Sequence, residues 1–366
     1  MKRREFITGA ALAGVATAAA SSFPKPAIAQ GAKELKMVTT WPKNFPGLGT
    51  GAQRLADRIT AMSGGALTVK VYAAGELVPP FESFDAVSTG TADMYHGAEY
   101  YWQGKSKAFN FFAAVPFGLT ATEQSAWIHH GGGQQLWDEL AAGFNLKPFM
   151  AGNTGVQMGG WFNKEVNSLE DYKGLKIRMP GLGGEVLRRI GATAVALPGG
   201  EIFPALQSGA IDATEWVGPW NDLAFGFYKV TKYYYYPGFH EPGTTLSSAV
   251  NLKLWNGLSK EHQAIITSAT AAENDYSLAE FNARNVDALD TLINKHKVKL
   301  RKFSNDVMDA IGARSGEVVV EAGSADALSK KVLDSFLDFR AKAISWSKIS
   351  DQAYWNARLL PFKYGK

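Results

Sequence analysis

Apolar residues in this chain recur with two periods, and the periods alternate. Leu35-Lys36-Met37-Val38-Thr39-Thr40-Trp41 reads as a buried strand, after which Ala52, Leu55, Ala56, Ile59 and Met62 fall at helical spacing until Ser63-Gly64-Gly65 ends the helix. Leu67, Val69 and Val71 alternate as a second strand, and a helix around Phe81 to Val87 leads to a short strand at Met94 to Gly97. This βαβαβ opening predicts a parallel sheet covered by helices, with ligands bound beyond the carboxyl ends of its strands.

A helical stretch over 121–142 precedes two near-neighbouring strands, at about Pro148 to Gly152 and Val156 to Asn163. A second α/β series then opens at Leu175-Lys176-Ile177-Arg178-Met179-Pro180, where Pro180 ends the strand. It continues with a helix over 184–190, a strand at 194–197, a helix over 201–208 and a strand at 213–217. Ser259 is placed to cap a helix reaching about His296, long enough to bridge two lobes. The fold expected is therefore a two-lobed α/β protein with a ligand cleft between the lobes. Its divisions are lobe I at 30–152, lobe II at 153–250, and a long helix with returning segments at 251–350. The final stretch, 351–366, carries Tyr354, Trp355, Leu359, Leu360 and Phe362, which need cover either from the parent domain or from a second subunit.

The N-terminus changes how the composition reads. Lys2-Arg3-Arg4, a weakly apolar run from Phe6 to Ala20, and Ala27-Ile28-Ala29 form the three parts of a cleavable export signal at 1–29. Arg3-Arg4 with Phe6-Ile7 resembles a twin-arginine signal, so both the Tat and the Sec route stay open, and either gives a periplasmic protein. Removing that segment takes away Lys2, Arg3, Arg4 and Lys25 against Glu5, and the formal charge falls by three, from +4 to +1. With both signs interleaved in the remainder, nucleic acid is not an expected partner. No later run approaches the roughly 18 to 20 apolar residues of a spanning helix. The chain has no cysteine, which excludes disulfides, thiolate metal sites and cysteine nucleophiles.

Motifs for common chemistries fail on spacing. Gly47-Leu48-Gly49-Thr50-Gly51-Ala52 is separated from its strand by Pro42 and Pro46, unlike a dinucleotide loop. Gly104-Lys105-Ser106 lacks the earlier glycine of a phosphate loop, since position 99 is Glu99. There is no G-x-S-x-G elbow or H-E-x-x-H helix, and His129-His130 diverge on a helix. Arg178 remains: at a strand end beside Pro180, its guanidinium could offer a planar fork to a carboxylate, or could simply be a surface arginine.

The segment Asp171-Tyr172-Lys173-Gly174-Leu175-Lys176-Ile177-Arg178-Met179-Pro180-Gly181 resembles the periplasmic solute-binding proteins of tripartite ATP-independent (TRAP) transporters. Phe203-Pro204-Ala205-Leu206-Gln207-Ser208-Gly209-Ala210-Ile211-Asp212-Ala213 and the order of elements from Leu35 to about Phe303 extend the resemblance over most of the chain. It implies that Arg178 pairs with a ligand carboxylate. Asn153-Thr154-Gly155-Val156-Gln157, Thr214-Glu215-Trp216, His240-Glu241-Pro242-Gly243 and the pair Tyr100-Tyr101 look closest to the branch that binds a small 2-oxo acid with a cation.

By that resemblance Gln157, Glu215 and the backbone carbonyl of Trp216 hold the cation, Asn153 and Tyr101 hydrogen-bond the ligand, and Glu241 lies in the surrounding shell. It also implies a homodimer exchanging C-terminal helices and delivery to TRAP membrane subunits. The charges agree: a buried ligand carboxylate and Glu215 need two positive partners, Arg178 and a metal ion. Sodium is the first choice, and calcium the alternative should Glu241 coordinate as well. The expected function is a receptor for a pyruvate-like monocarboxylate, not an enzyme. The alternatives are a receptor for a hydroxy acid such as lactate, a sugar acid or a polyol, and an exported enzyme using Glu215 and Glu241 as an acid/base pair.

Overall fold

The computed structural model describes residues 32–364, so the export signal expected at 1–29 lies outside the described residues. Among the described residues eleven strands form two sheets. They are β1 (Lys33–Thr39), β2 (Leu67–Tyr72), β3 (Met94–Gly97), β4 (Leu146–Asn153), β5 (Gly160–Phe162), β6 (Lys176–Arg178), β7 (Thr193–Val195), β8 (Ala213–Thr214), β9 (Tyr233–Tyr236), β10 (Thr245–Asn251) and β11 (Lys299–Lys302). The first sheet has the order β2-β1-β3-β10-β4 and the second β11-β9-β5-β8-β6-β7, each lobe thus having a mixed sheet rather than a purely parallel one.

The parallel opening occurs as read: β1 pairs parallel with β2 and with β3, and Leu35, Met37, Leu55 and Ile59 are buried between sheet and helix Gly49–Met62. Correction is needed where a strand comes back. β10 lies antiparallel between β3 and β4, so residues 245–250, assigned to lobe II, belong to the first sheet. Its sequence, Thr-Leu-Ser-Ser-Ala-Val-Asn, has little apolar signal although every residue in it is buried. The helical stretch at 121–142 is two helices, Ala121–His130 and Gly133–Ala142, broken where Gly132 takes φ of 85°. The strands in the second lobe are shorter than read, with β8 ending at Thr214 rather than at 217.

Among the described residues the chain passes between the lobes four times, the last at 323–326, where helix Asn305–Ala322 on the second lobe gives way to Ala327–Ser347 on the first; the three earlier passages frame the site. Residues 154–159 and 237–244 run beside each other, tied by Thr154 N to Thr244 O at 3.1 Å, Gln157 N to Glu241 O at 3.1 Å and Gly238 N to Gln157 O at 3.0 Å. The third is the helix Lys260–Asp290, capped by the Ser259 hydroxyl, which accepts from His262 N, and continued by a wider turn at Thr291–Lys295. This helix packs on β4 and on the first lobe's Gly49–Met62, and also on Pro219–Phe225 of the second lobe. No helix among the described residues is long and apolar enough to cross a membrane.

The C-terminal segment does not fold back. Helix Asp351–Ala357 follows Ala327–Ser347, and its surroundings leave Tyr354 66%, Leu359 80% and Leu360 61% exposed. Cover from the parent domain, one of the two readings of this stretch, is not what the chain provides.

Candidate functional site

Two adjacent strands of the second lobe create the site. β6 and β8 are parallel, with Arg178 in register with Thr214, so Arg178 and the residue after Thr214, Glu215, leave the sheet at the same carboxyl edge. Pro180 stops β6, and Gly181 starts the helix Gly181–Arg189 with φ of 62°. A side chain on Gly181 would stand 3.1 Å from Asn110 Oδ1 and 3.2 Å from Tyr100 Cβ, both on the first lobe, so glycine is what lets the lobes meet here.

Arg178 lies between the closed lobes and is 1% exposed, in contrast to the surface alternative. Its Nη1 donates to Glu215 Oε1, forming an ion pair buried on both sides, and to the Glu215 carbonyl at 3.1 Å. Nε donates to Leu197 O at 3.2 Å and Nη2 to the Tyr101 hydroxyl, from the first lobe, at 3.4 Å. The guanidinium carbon stands 5.0 Å from the Trp216 ring centroid, within cation–π range. Although burial disfavours its charge, the field of Glu215 and its neighbours prevails and raises the Arg178 pKa above its usual value.

A second set of groups arrives from the crossing segments. Glu215, His240 and Glu241 bring ligand atoms within 4.8 Å of one another, and all three are buried. His240 Nε2 is 3.4 Å from Glu215 Oε2, and the Thr244 hydroxyl donates to Glu241 Oε2. Burial, with the charge of Glu215 second, pushes the Glu241 carboxyl up to about 7. The Gln157 amide donates to Thr154 and Thr244 hydroxyls, each at 3.1 Å, leaving its Oε1 without a partner. Asn153 Oδ1 accepts from Gly155 N at 2.9 Å, while its Nδ2 is unpaired.

The sequence-derived residues Arg178, Tyr101, Glu215, Trp216 and Glu241 thus converge, with Gln157 joined to Glu241 through Thr244 and Asn153 at the head of the same crossing. The histidines carried no spacing signal, and so His240 was missed; only the turn that follows Pro237 brings it to Glu215. Asp222 was missed too, although it accepts from Tyr234 OH at 2.6 Å, Trp161 Nε1 at 3.0 Å and Val217 N at 3.3 Å, holding the strand exit that carries Trp216. Gln157 Oε1, Asn153 Nδ2 and His240 Nδ1 are buried polar atoms without partners, on or at the head of the crossing segments that also carry Glu241. Such groups are ordinarily satisfied, and the donor set, rich in hard oxygens, fits a small anion with an alkali or alkaline-earth cation.

Residues 37–324 match the model of the bacterial extracellular solute-binding protein family 7. The chain belongs to this family. It is a solute-binding receptor of the TRAP-transporter type, and the family is extracytoplasmic. A monocarboxylate 2-oxoacid-binding periplasmic protein of Nostoc sp. (strain PCC 7120) is 43% identical over 360 residues, spanning 97% of this chain and 98% of the relative. A TRAP solute-binding protein from Pseudoalteromonas atlantica with bound sodium and pyruvate superposes with a TM-score of 0.86 at 39% identity, covering 90% of this chain and 99% of the other. A third, from Bordetella bronchiseptica, is a mixed-occupancy dimer with copurified calcium and picolinate in one active site, at a TM-score of 0.88 and 36% identity over 90% of this chain and 97% of that one. The expected family and two-lobed fold are both borne out, as is the role of receptor.

Proposed function

We propose that this receptor closes on a small 2-oxo monocarboxylate of pyruvate's size, bound with a metal cation, and delivers it to TRAP membrane subunits. The observation that carries the reading is the buried Arg178–Glu215 pair, flanked by a second carboxyl and by unanswered amide groups. Arg178 takes the ligand carboxylate, Asn153 and Tyr101 hydrogen-bond the ligand, and Trp216 walls its apolar end. The cation is held by Gln157, Glu215 and the Trp216 carbonyl, with Glu241 in the shell around them. It supplies positive charge opposite the ligand's oxygens; the chain's own residues orient the acid and exclude water.

Charge balance selects the ion. Ligand carboxylate and Glu215 are offset by Arg178 and one monovalent cation when Glu241 carries its proton, whereas an ionised Glu241 calls for a divalent one. Burial beside Glu215 favours the protonated Glu241, which makes sodium the first choice and calcium the alternative. The name of the Nostoc relative and the ligands in the two solved relatives support this class of acid and ion. Export through the leader at 1–29 places the receptor in the periplasm, and the exposed tail supports a homodimer in which 351–366 packs on the partner.

Titrating intrinsic tryptophan fluorescence with pyruvate, with and without sodium, tests the reading, since Trp216 and Trp41 flank the cleft. A saturable response that requires the cation is expected, with lactate, sugar acids and polyols competing weakly. Absence of response to every short acid would remove this ligand class.

A further inference from the structure

One loop of the first lobe enters the second without taking part in the ligand cluster. After β1 the chain turns through Trp41–Gly47, with Asn44 at φ of 56° and Phe45 N bonded to Pro42 O at 3.1 Å. At its near end the Trp41 indole donates to His96 Nδ1 at 2.8 Å, and His96 Nε2 lies 3.3 Å from Ala151 O, so the ring is braced against its own sheet. At its far end the Phe45 ring stands 4.3 Å from the Phe225 ring and edge-on to Trp216 at 6.2 Å. Asn221 Nδ2 donates to Pro46 O at 3.1 Å, and Gly47 leaves room for Trp220, whose ring would lie 2.7 Å from a side chain there.

Every partner of this loop in the second lobe sits on Trp216–Phe225, the segment that Asp222 pins to Trp161 and Tyr234. The same segment supplies Trp216, which carries Arg178 on its face and is met edge-on by Trp41. The aromatic contact and the Asn221 bond both cross from lobe to lobe, so they exist only when the lobes are shut. Yet neither Phe45 nor Asn221 has a bond to Arg178, Glu215, Gln157 or Glu241.

We propose that the Trp41–Gly47 loop is a latch on the closed cleft, in which Phe45 and Asn221 act as positioning residues that hold Trp216 over Arg178 and slow ligand release. The latch favours closure whether or not ligand is present, and ligand adds to it by fixing Trp216 from the other side. This rests on the reading of the cleft as the ligand site, and the two can fail separately.

The test compares the full-length exported protein with Phe45→Ala and Asn221→Asp, the second replacing a donor by a carboxylate that faces Pro46 O without changing shape. Small-angle scattering of the ligand-free proteins should give a larger radius of gyration for both variants. Stopped-flow fluorescence with pyruvate and sodium should give release faster by roughly tenfold, and an association rate closer to wild type. The slope of affinity against sodium concentration should stay that of the wild type, because neither side chain hydrogen-bonds to Gln157, Glu215 or the Trp216 carbonyl, Phe45 meeting Trp216 through its ring. Wild-type scattering and release rates in both variants would overturn the latch. Should Phe45→Ala fail to fold, Asn221→Asp decides alone. If the wild type binds no short acid, the ligand reading falls, while the scattering comparison still decides the latch.

Discussion

Arg178 and Glu215 leave neighbouring parallel strands at the same edge and join in an ion pair with both side chains 1% exposed. That geometry gives Arg178 a structural role beside the binding role proposed for it. Arg178→Ala should abolish ligand binding and also lower the stability of the ligand-free protein by about 3 to 5 kcal/mol, since it leaves Glu215 buried without its partner. Arg178→Met combined with Glu215→Gln should recover much of that stability and none of the binding. Chemical denaturation of the single and double variants checks this; additive losses would contradict a coupled buried pair.

Glu215→Gln separates the ion from the acid. With the carboxylate gone, Arg178 and the ligand already balance, so binding should weaken while its dependence on sodium flattens. Isothermal titration at several sodium concentrations reads both quantities. Dependence as steep as in the wild type would mean that Glu215 is not a cation ligand.

Asp222 holds the exit of β8 by accepting from Trp161, Tyr234 and Val217 N, and it is buried. Asp222→Asn substitutes an amide donor for one acceptor oxygen and sets it against these donors, with an expected loss of roughly 1 to 3 kcal/mol. Binding should weaken as well, because the Trp216–Val217 peptide loses its anchor. A variant as stable as the wild type would show that the three bonds add nothing net.

Why some of this was legible in the sequence and some not follows from range. Arg178 was readable because Pro180 marks the end of its strand, and Ser259 because capping is a property of four consecutive residues. The crossing of β10 into the first sheet was not, since a strand buried on both faces in which Thr245, Ser247 and Ser248 interrupt Leu246, Ala249 and Val250 shows neither alternation nor an apolar run. His240 and Phe45 owe their positions to contacts with residues more than 20 positions away, as with Glu215 and Phe225, and local pattern carries no trace of such pairings.

The tail supplies a test of assembly. Trp355 and Phe362 are 49% and 56% exposed, and with Tyr354, Leu359 and Leu360 they form an apolar surface that the parent chain leaves open. Truncation before Gln352 should halve the mass of the particle in light scattering and raise the monomer's solubility. A mass changed only by the deleted residues would mean that the tail holds no second copy.

Glu99 gives a pH signature that is separate from the cation cluster. It lies in the first lobe, fully buried, with Oε1 accepting from Tyr95 OH at 2.8 Å and Oε2 unpaired. Burial pushes its carboxyl up to about 7, against the opposing effects of the Tyr95 and Ser247 hydroxyls, from an ordinary value of 4.5. Between those two values the folded protein keeps a proton that the unfolded chain has released. The stability contributed by Glu99 is therefore whole below pH 4.5 and is lost as pH rises through 7, at no more than about 1.4 kcal/mol per pH unit. Glu99→Gln, which is neutral at every pH, should cancel that part of the decline. Melting of wild type and variant between pH 4.5 and 8 checks it: the variant should gain on the wild type as pH increases, and parallel curves would show that Glu99 titrates alike in both states.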